Sequence, residues 1–219
     1  MPLGLHGKLL DFKEGNQNPT NADVFYHKLE SIAPRVMNKL TLCFNPDKVI
    51  PAEASRYSAG LTNSLLADQA KFDSDSVSLL SAWLSRLPGP VCLVAHNGDK
   101  FDFLLLLMEI KRAGASISTE NRIFSADTLV GIKNISSRGR IEQHEFSYSD
   151  VKKKRIGPPV NFRQPTLHKY LLGLEPSSSH SAEADCLSLM RITATLGSDW
   201  TDWVRNNASV IECVIGCGR

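Results

Sequence analysis

The sequence of 219 residues is long enough for one domain with a sizeable hydrophobic core. Hydrophobic residues make up 42% of it and charged residues 22%, which is typical of a soluble globular protein. The formal net charge of +2 excludes a uniformly basic protein. Attraction to nucleic acid would therefore have to come from a local patch, of which Lys152–Arg155 is the clearest.

The cysteines indicate a reducing compartment. They form an odd set without a Cys-x-x-Cys pair, which argues against a zinc site and against a disulfide framework. The five are Cys43, Cys92, Cys186, Cys213 and Cys217. Residues 1–7 lack the apolar core of a signal peptide, and no apolar run is long enough to cross a membrane. The sequence therefore predicts a soluble protein of the cytoplasm, the nucleus or both.

The first half of the chain predicts a loop, a strand, a helix and a second strand. Residues up to about Asn21 are polar and rich in loop-forming residues. Lys39–Phe44 alternates polar and apolar residues and predicts a strand. Asp75–Leu87 has apolar residues at helical spacing, and the following Pro-Gly-Pro ends that helix. Val91–Ala95 is a continuous apolar run, typical of a strand covered on both faces.

Beyond this strand, residues 96–98 turn the chain. Asp99 is then predicted to cap a helix that ends near Gly114. Ile123–Ala126 predicts another strand, and Asp127 begins the next element. Gly131–Phe162 is rich in loop-forming and basic residues and predicts a mobile surface segment.

The last part of the chain predicts helices. Thr166–Leu172 forms a short helix ended by Gly173, and a final helical region begins near Ser181. A second amphipathic turn is expected around Trp200 and Trp203. Because strands and helices alternate along the sequence, the expected fold is a single α/β layer structure.

Two aspartates follow the strand Val91–Ala95 closely. In open α/β sheets, ligands bind in crevices beyond the carboxyl ends of the strands. Helix capping explains Asp99, whereas Asp102 is expected one helical turn later, where capping does not explain it. Asp102 is therefore a candidate functional residue, and the alternative is a solvated helical aspartate.

A histidine and an aspartate near the final helix form a second candidate pair. In the middle of one helix, His180 and Asp185 would point about 140° apart. If His180 lies in the loop ahead of the helix and Asp185 in its second turn, both can face one crevice. Such a pair suits hydrolysis, because the carboxylate can bind a divalent cation while the imidazole takes a proton from water. The alternative is that His180 is a surface histidine whose hydrogen bonds are satisfied and which has no catalytic role.

Residues 93–103, Leu-Val-Ala-His-Asn-Gly-Asp-Lys-Phe-Asp-Phe, resemble the second exonuclease motif of the three-prime repair exonucleases, a branch of the DnaQ-like, DEDDh nucleases. Residues 180–185, His-Ser-Ala-Glu-Ala-Asp, match the H-x-A-x-x-D third motif. Pro34–Val36, Lys39–Cys43 and Gly60–Thr62 resemble further segments in the same order. The resemblance covers about Val24 to the C terminus, and ordered matches are more specific than one short motif.

The resemblance implies residue roles. Asp102 and Asp185 correspond to metal-binding carboxylates of motifs two and three. His180 corresponds to the general base, and Phe101 to an aromatic residue beside the 3′-terminal nucleotide. The family removes deoxynucleotides from DNA 3′ ends with two Mg²⁺ or Mn²⁺ ions. It has an RNase H-like fold, with helices on both faces of a mixed five-stranded sheet. Its members dimerise through the edge strand that corresponds to Lys39–Phe44, so a homodimer is implied here.

The family's first acidic motif, an Asp-x-Glu followed by a Thr-Gly-Leu-like turn, is not found. Asp11 and Glu14 come nearest, but residues three apart face opposite sides of a strand. Two carboxylates are too few to offset the charge of two divalent ions. We therefore expect a divergent or truncated N-terminal segment, residues 1–21, and an exonuclease-like domain, residues 22–219, with its first strand missing or replaced.

Three interpretations of function follow. In the first, the chain is a metal-dependent 3′→5′ exodeoxyribonuclease, and the missing motif leaves open whether its activity is kept, impaired or lost. In the second, it is a catalytically inactive nucleic-acid-binding or dimer-partner protein, in which Lys152–Arg155 contacts phosphates and binding weakens steeply with salt. A solvated loop and a nuclear import signal are alternatives for that patch. The third is an unrelated α/β interaction protein, which would require two accidental motif matches.

Overall fold

The computed structural model describes residues 36–55, 60–120, 122–139, 143–146, 151–154, 159–176 and 181–211. All of them lie within the compact unit Ala33–Arg219. The predicted boundary at residue 21 falls outside the described residues and stays a prediction.

Strands and helices alternate through the described chain, which makes it a mixed α/β protein. The strands are β1 (Val91–Ala95), β2 (Ile123–Asp127), β3 (Gln143–Phe146), β4 (Val151–Lys154) and β5 (Ser209–Val210). The helices are α1 (Ala52–Ser55), α2 (Asn63–Leu66), α3 (Ser74–Ser85), α4 (Asp102–Arg112), α5 (Thr128–Ser137), α6 (Gln164–Leu172), α7 (Ala182–Leu196) and α8 (Ser198–Asn207).

The sheet that positions the site is small and mixed. β1 and β2 are parallel, with Ala95 opposite Asp127, and β5 pairs antiparallel with β2. β3 and β4 pair with each other in a separate antiparallel hairpin. Within the described residues the sheet thus has three strands rather than the five that the resemblance implied. Because parallel strands end at the same edge, the residues that follow β1 lie beside those that follow β2.

One apolar cluster holds α3 and α4 with β1 and β2. Its buried members are Val77, Leu84, Val91, Ile110, Ile117 and Ile123. α3 begins at Ser74, one residue before the predicted start, because Asp73 forms a capping box with Ser76 that satisfies free N–H groups of the first turn. The helix buries Val77 and Leu84, seven residues apart on one face. The predicted helix Asp75–Leu87 is confirmed with its ends shifted by one or two residues.

A second set of buried side chains holds the later helices together. It includes Ile132, Leu167, Leu171 and Ile192, each at most 1% exposed. α6 packs against α7, and α5 packs against α8. Gly173 ends α6 as predicted, and its φ of 71° places it in the left-handed conformation.

The predicted strand Lys39–Phe44 is wrong, because residues 36–44 have no regular secondary structure. The segment is held near its end by two contacts. The Asn45 N–H donates to the Ala70 carbonyl at 2.9 Å, and the ring centroids of Phe44 and Phe72 lie 5.2 Å apart. A strand requires a neighbour for its backbone groups, and no described strand pairs with this one. The homodimer therefore has no edge strand here and stays a prediction.

The predicted loop Gly131–Phe162 is also wrong in part. Asp127 caps α5, which continues to Ser137 and buries Ile132 and Ile135. Residues 143–146 and 151–154 form the β3–β4 hairpin, so residues 152–154 of the basic patch lie on a strand. Arg155 lies outside the described residues.

Two further sequence expectations concern thiols and membranes. Cys43, Cys92 and Cys186 carry free thiols, while the other two cysteines are outside the described ranges. Among the helices that the structure describes, none combines the length and the apolar composition needed to cross a bilayer.

Candidate functional site

The carboxyl edge of β1 and β2 is organised by the buried side chain of Asp127, which is 4% exposed. One of its oxygens accepts the N–H groups of Asn97, at 2.9 Å, and Leu129, at 2.8 Å. The other accepts the N–H of Asp99 at 3.3 Å. Asp127 therefore caps α5 and also fixes the turn that follows β1. The sequence indicated only that an element begins there.

This turn changes the predicted place of Asp102. Asn97 has φ 62°, and a Cβ on Gly98 would meet the Ala95 Cβ and the Phe103 ring at 2.7 Å, so the chain turns tightly. α4 then begins at Asp102, with Phe101 as an N-cap that makes no side-chain bond. The predicted Asp99 cap is wrong, since Asp127 binds the Asp99 backbone instead. Asp102 is an exposed residue of the first turn, where a carboxylate complements the helix dipole.

His96 joins three parts of the chain. Its Nδ1 lies 2.9 Å from the Thr128 hydroxyl, and its Nε2 lies 2.9 Å from the Phe162 carbonyl oxygen. A carbonyl only accepts, so Nε2 carries the proton. Burial lowers the pKa of His96, although the bond to Phe162 and the charges of Asp127 and Asp102 oppose that shift. Neutral His96 donates to the Phe162 carbonyl, and its Nδ1 faces the Thr128 hydroxyl, which also lies 3.2 Å from the Ala95 carbonyl oxygen.

The start of α7 presents Asp185. The N-cap Ser181 accepts the N–H of Ala184 at 3.1 Å, and the Asp185 N–H donates to the Ser181 carbonyl at 2.9 Å. Asp185 is exposed and lies in the first turn rather than the predicted second. The amide of Gln164 donates to the Asp185 backbone carbonyl at 2.7 Å. His180 lies outside the described residues, so its role as a base stays a prediction.

The structure brings Asp102 and Asp185 into one region. Desolvation raises the pKa of the Cys186 thiol, and the negative charges of Asp185 and Asp102 raise it further. Both carboxylates therefore act on one thiol, although they belong to α4 and α7. Phe101, next to Asp102, is 64% exposed and available to a ligand.

These carboxylates fit a divalent cation in part. Within the part of the chain that the structure describes, no three His, Cys, Asp or Glu residues are grouped to hold a metal ion. Asp127 is engaged by three backbone N–H groups, whereas the exposed Asp102 and Asp185 can each offer oxygen donors. Mg²⁺ keeps several waters and binds one or two carboxylates plus substrate phosphates. Two exposed carboxylates suit one such ion and fall short of a full two-ion site.

A cleft of about 440 Å³ adjoins this edge. It is lined by His96, Asn97, Leu129, Lys133, Asn161, Phe162, Arg163 and Gln164. Its two cations are Lys133, whose ammonium lies 5.8 Å from the Phe162 ring centroid, and Arg163. A cationic cleft beside exposed carboxylates suits an anionic ligand. Neither cation stands in a sequence motif, so only the fold reveals them.

No family model matches the sequence. The chain is 32% identical over 185 residues to Three-prime repair exonuclease 1 of Bos taurus, covering 84% of this chain and 54% of that protein. It is 35% identical over 179 residues to Three prime repair exonuclease 2 of Homo sapiens and 34% over 181 to that of Mus musculus; both matches cover 81% of this chain and 70% of the relative. The chain thus spans about half the length of the bovine protein.

Fold and site define an α/β protein with exposed carboxylates and a cationic cleft at the carboxyl edge of a parallel strand pair. The sequence identities to the relatives, and the share of each chain that they cover, show the family. The chain belongs to the three-prime repair exonuclease family. The resemblance carried by the two sequence motifs is thereby confirmed, and the interpretation as an unrelated interaction protein is wrong.

Proposed function

We propose that this chain is a metal-dependent 3′→5′ exonuclease that hydrolyses DNA from 3′ ends to nucleoside monophosphates, on an RNase H-like fold. The observation that carries the proposal is that hydrogen bonds of His96 and Gln164 tie the turn that leads to the Asp102 carboxylate to the helix that carries the Asp185 carboxylate. Helices α4 and α7 supply these carboxylates from distant parts of the sequence. The relatives, named three-prime repair exonucleases, support the same reaction.

Four residues have distinct roles in the proposed hydrolysis. Asp102 and Asp185 would hold Mg²⁺ or Mn²⁺, and a full family site would hold two ions. A bound ion supplies positive charge to a phosphate and makes bound water more acidic. His180 takes a proton from the attacking water. Phe101 offers an exposed ring on which the terminal base stacks.

The cleft supplies the remaining binding surface. Lys133 and Arg163 attract the phosphates of the strand through a local field, which a formal net charge of +2 does not provide for the whole molecule. A homodimer and a location in the cytoplasm or nucleus are further parts of the proposal.

Release of mononucleotides from a 3′-labelled single-stranded oligonucleotide in Mg²⁺ tests this function. We expect Asp185→Asn and His180→Ala to lower the rate by about 100-fold or more. Glu183→Gln is the matched control, because Glu183 is an exposed first-turn acid of the same helix, paired with Lys39 at 2.7 Å. Equal rates in the wild type and in Asp185→Asn would show that the cleavage does not come from this site.

A catalytically inactive nucleic-acid-binding protein is the second candidate. The observation that favours it is that, among the described residues, no three His, Cys, Asp or Glu side chains are grouped to hold a metal ion. This candidate requires single-strand binding without turnover at saturating Mn²⁺, whereas the exonuclease releases product under the same conditions.

A further inference from the structure

Residues 161–164, here called the bridging segment, lie between the turn that follows β1 and the first turn of α7. At one end, the His96 Nε2–H donates to the Phe162 carbonyl at 2.9 Å. At the other, the Gln164 amide donates to the Asp185 carbonyl at 2.7 Å. Two residues of backbone thus connect the region that leads to Asp102 with the helix that carries Asp185.

The bridging segment is held by its own contacts. The Asn161 side chain accepts the Arg163 N–H at 3.0 Å, which closes a local turn. The Arg163 carbonyl accepts the Leu167 N–H at 2.9 Å as α6 begins, and proline follows Gln164 in the first turn of that helix. Both ends of the segment are therefore held, so the place of Gln164 relative to His96 is defined by hydrogen bonds.

The opposite anchor of His96 is equally defined. Its Nδ1 lies 2.9 Å from the hydroxyl of Thr128, the residue after Asp127. Asp127 binds the backbone of Asn97 and Asp99, through which the chain reaches Asp102. His96 is therefore joined both to the turn that places Asp102 and to the bridging segment.

We propose that Gln164 and His96 are positioning residues that set the separation of the Asp102 and Asp185 carboxylates, and so the affinity for a divalent cation. This inference rests on the proposed function, since the separation matters only if the carboxylates share an ion. Gln164 binds the backbone carbonyl of Asp185 and leaves its carboxylate oxygens available. That carbonyl has two lone pairs, so it can serve the helix and Gln164 together.

The test is Mn²⁺ binding by the full chain without substrate, measured by electron paramagnetic resonance of the free ion. We expect Gln164→Ala to weaken binding about 10-fold, as loss of a group that orients a ligand does. In an Asp185→Asn background, Gln164→Ala should have no further effect, because it acts through Asp185. Gln69→Ala is the matched control, since Gln69 is exposed in a turn elsewhere, and it should bind Mn²⁺ like the wild type.

Two further variants separate positioning from charge and from general damage. Gln164→Glu keeps the side-chain length but cannot donate to the carbonyl, so positioning predicts weaker Mn²⁺ binding. An effect of charge alone predicts tighter binding. His96→Gln can still donate to the Phe162 carbonyl and should retain more affinity than His96→Ala.

Each outcome decides the proposal. If Asp185→Asn weakens Mn²⁺ binding but Gln164→Ala does not, the positioning role is wrong while the proposed function stands. If Gln164→Ala weakens binding equally in the Asp185→Asn background, it does not act through Asp185 and the inference is overturned. If Asp102→Asn and Asp185→Asn both bind like the wild type, the metal site fails and the inference fails with it.

Discussion

The carboxylate of Asp127 accepts three backbone N–H groups and is buried, whereas Asp102 and Asp185 are exposed. The three aspartates therefore have different roles. Asp127 satisfies donors that burial would otherwise leave without partners, and it is not available to an ion. The exposed pair has oxygen atoms that a cation or its waters can reach.

Asp127→Ala should lower the free energy of unfolding by about 2–4 kcal/mol, because it removes the α5 cap and leaves backbone donors of a buried turn unsatisfied. Urea denaturation measures the change. Asp73→Ala is the control, since Asp73 caps α3 from an exposed position and should cost about 1 kcal/mol. Equal losses in the two variants would mean that the bonds from Asn97 and Asp99 add nothing.

For individual residues, the sequence predicts part of the candidate site and not the rest. Asp102 and Asp185 are found because each stands in a recognisable motif at a strand or helix boundary. The partners of His96 and Gln164 are not, because these bonds span 66 and 21 residues. Such pairs carry no local pattern and arise only once the elements have packed.

At the scale of elements, local signals succeed where the element depends on its own residues. α3 is predicted by its helical pattern and its Pro-Gly-Pro stop, and α6 by its Gly stop. Lys39–Phe44 is mispredicted because a strand depends on a partner that its own residues do not reveal. The start of α5 after Asp127 is predicted, but its continuation beyond Gly131 is not, because glycine is typical of loops and here lies against the tryptophans of α8.

Helices α5 and α8 approach each other closely at Gly131. A Cβ on Gly131 would lie 2.6 Å from Trp200 Cζ3 and 2.8 Å from Trp203 Cε3. The two indole rings are buried and stack on each other, with their centroids 5.4 Å apart. Glycine, which ordinarily weakens a helix, is therefore what allows α5 to approach α8.

Gly131→Ala should accordingly destabilise the protein by about 1–3 kcal/mol, the typical cost of overpacking. Helix propensity alone predicts the opposite sign, a gain of about 0.5–1 kcal/mol. Thermal unfolding followed by circular dichroism decides between them. Val130→Ala, at a half-exposed position of the same helix, should change stability little. A Gly131→Ala variant more stable than the wild type would show that the two tryptophan side chains can move aside without a loss of stability.

At the scale of the whole molecule, charge is nearly balanced, at 25 basic against 23 acidic residues. Binding of a DNA strand must therefore depend on where the cations lie. Lys133 and Arg163 share the cleft beside the carboxylates, whereas Lys71 and Arg205 pair with Asp47 and Asp202 on other surfaces. Two double variants can remove the same charge from these different places.

Lys133→Ala/Arg163→Ala should weaken binding of a single-stranded oligonucleotide and reduce the slope of log K against log salt by about 1.4, since each phosphate contact on a single strand contributes about 0.7. Lys71→Ala/Arg205→Ala lowers the net charge equally and should leave the slope unchanged. Fluorescence anisotropy in EDTA, with salt varied from about 50 to 200 mM, measures both while preventing cleavage. If both variants reduce the slope equally, net charge governs binding and the cleft does not contact the strand.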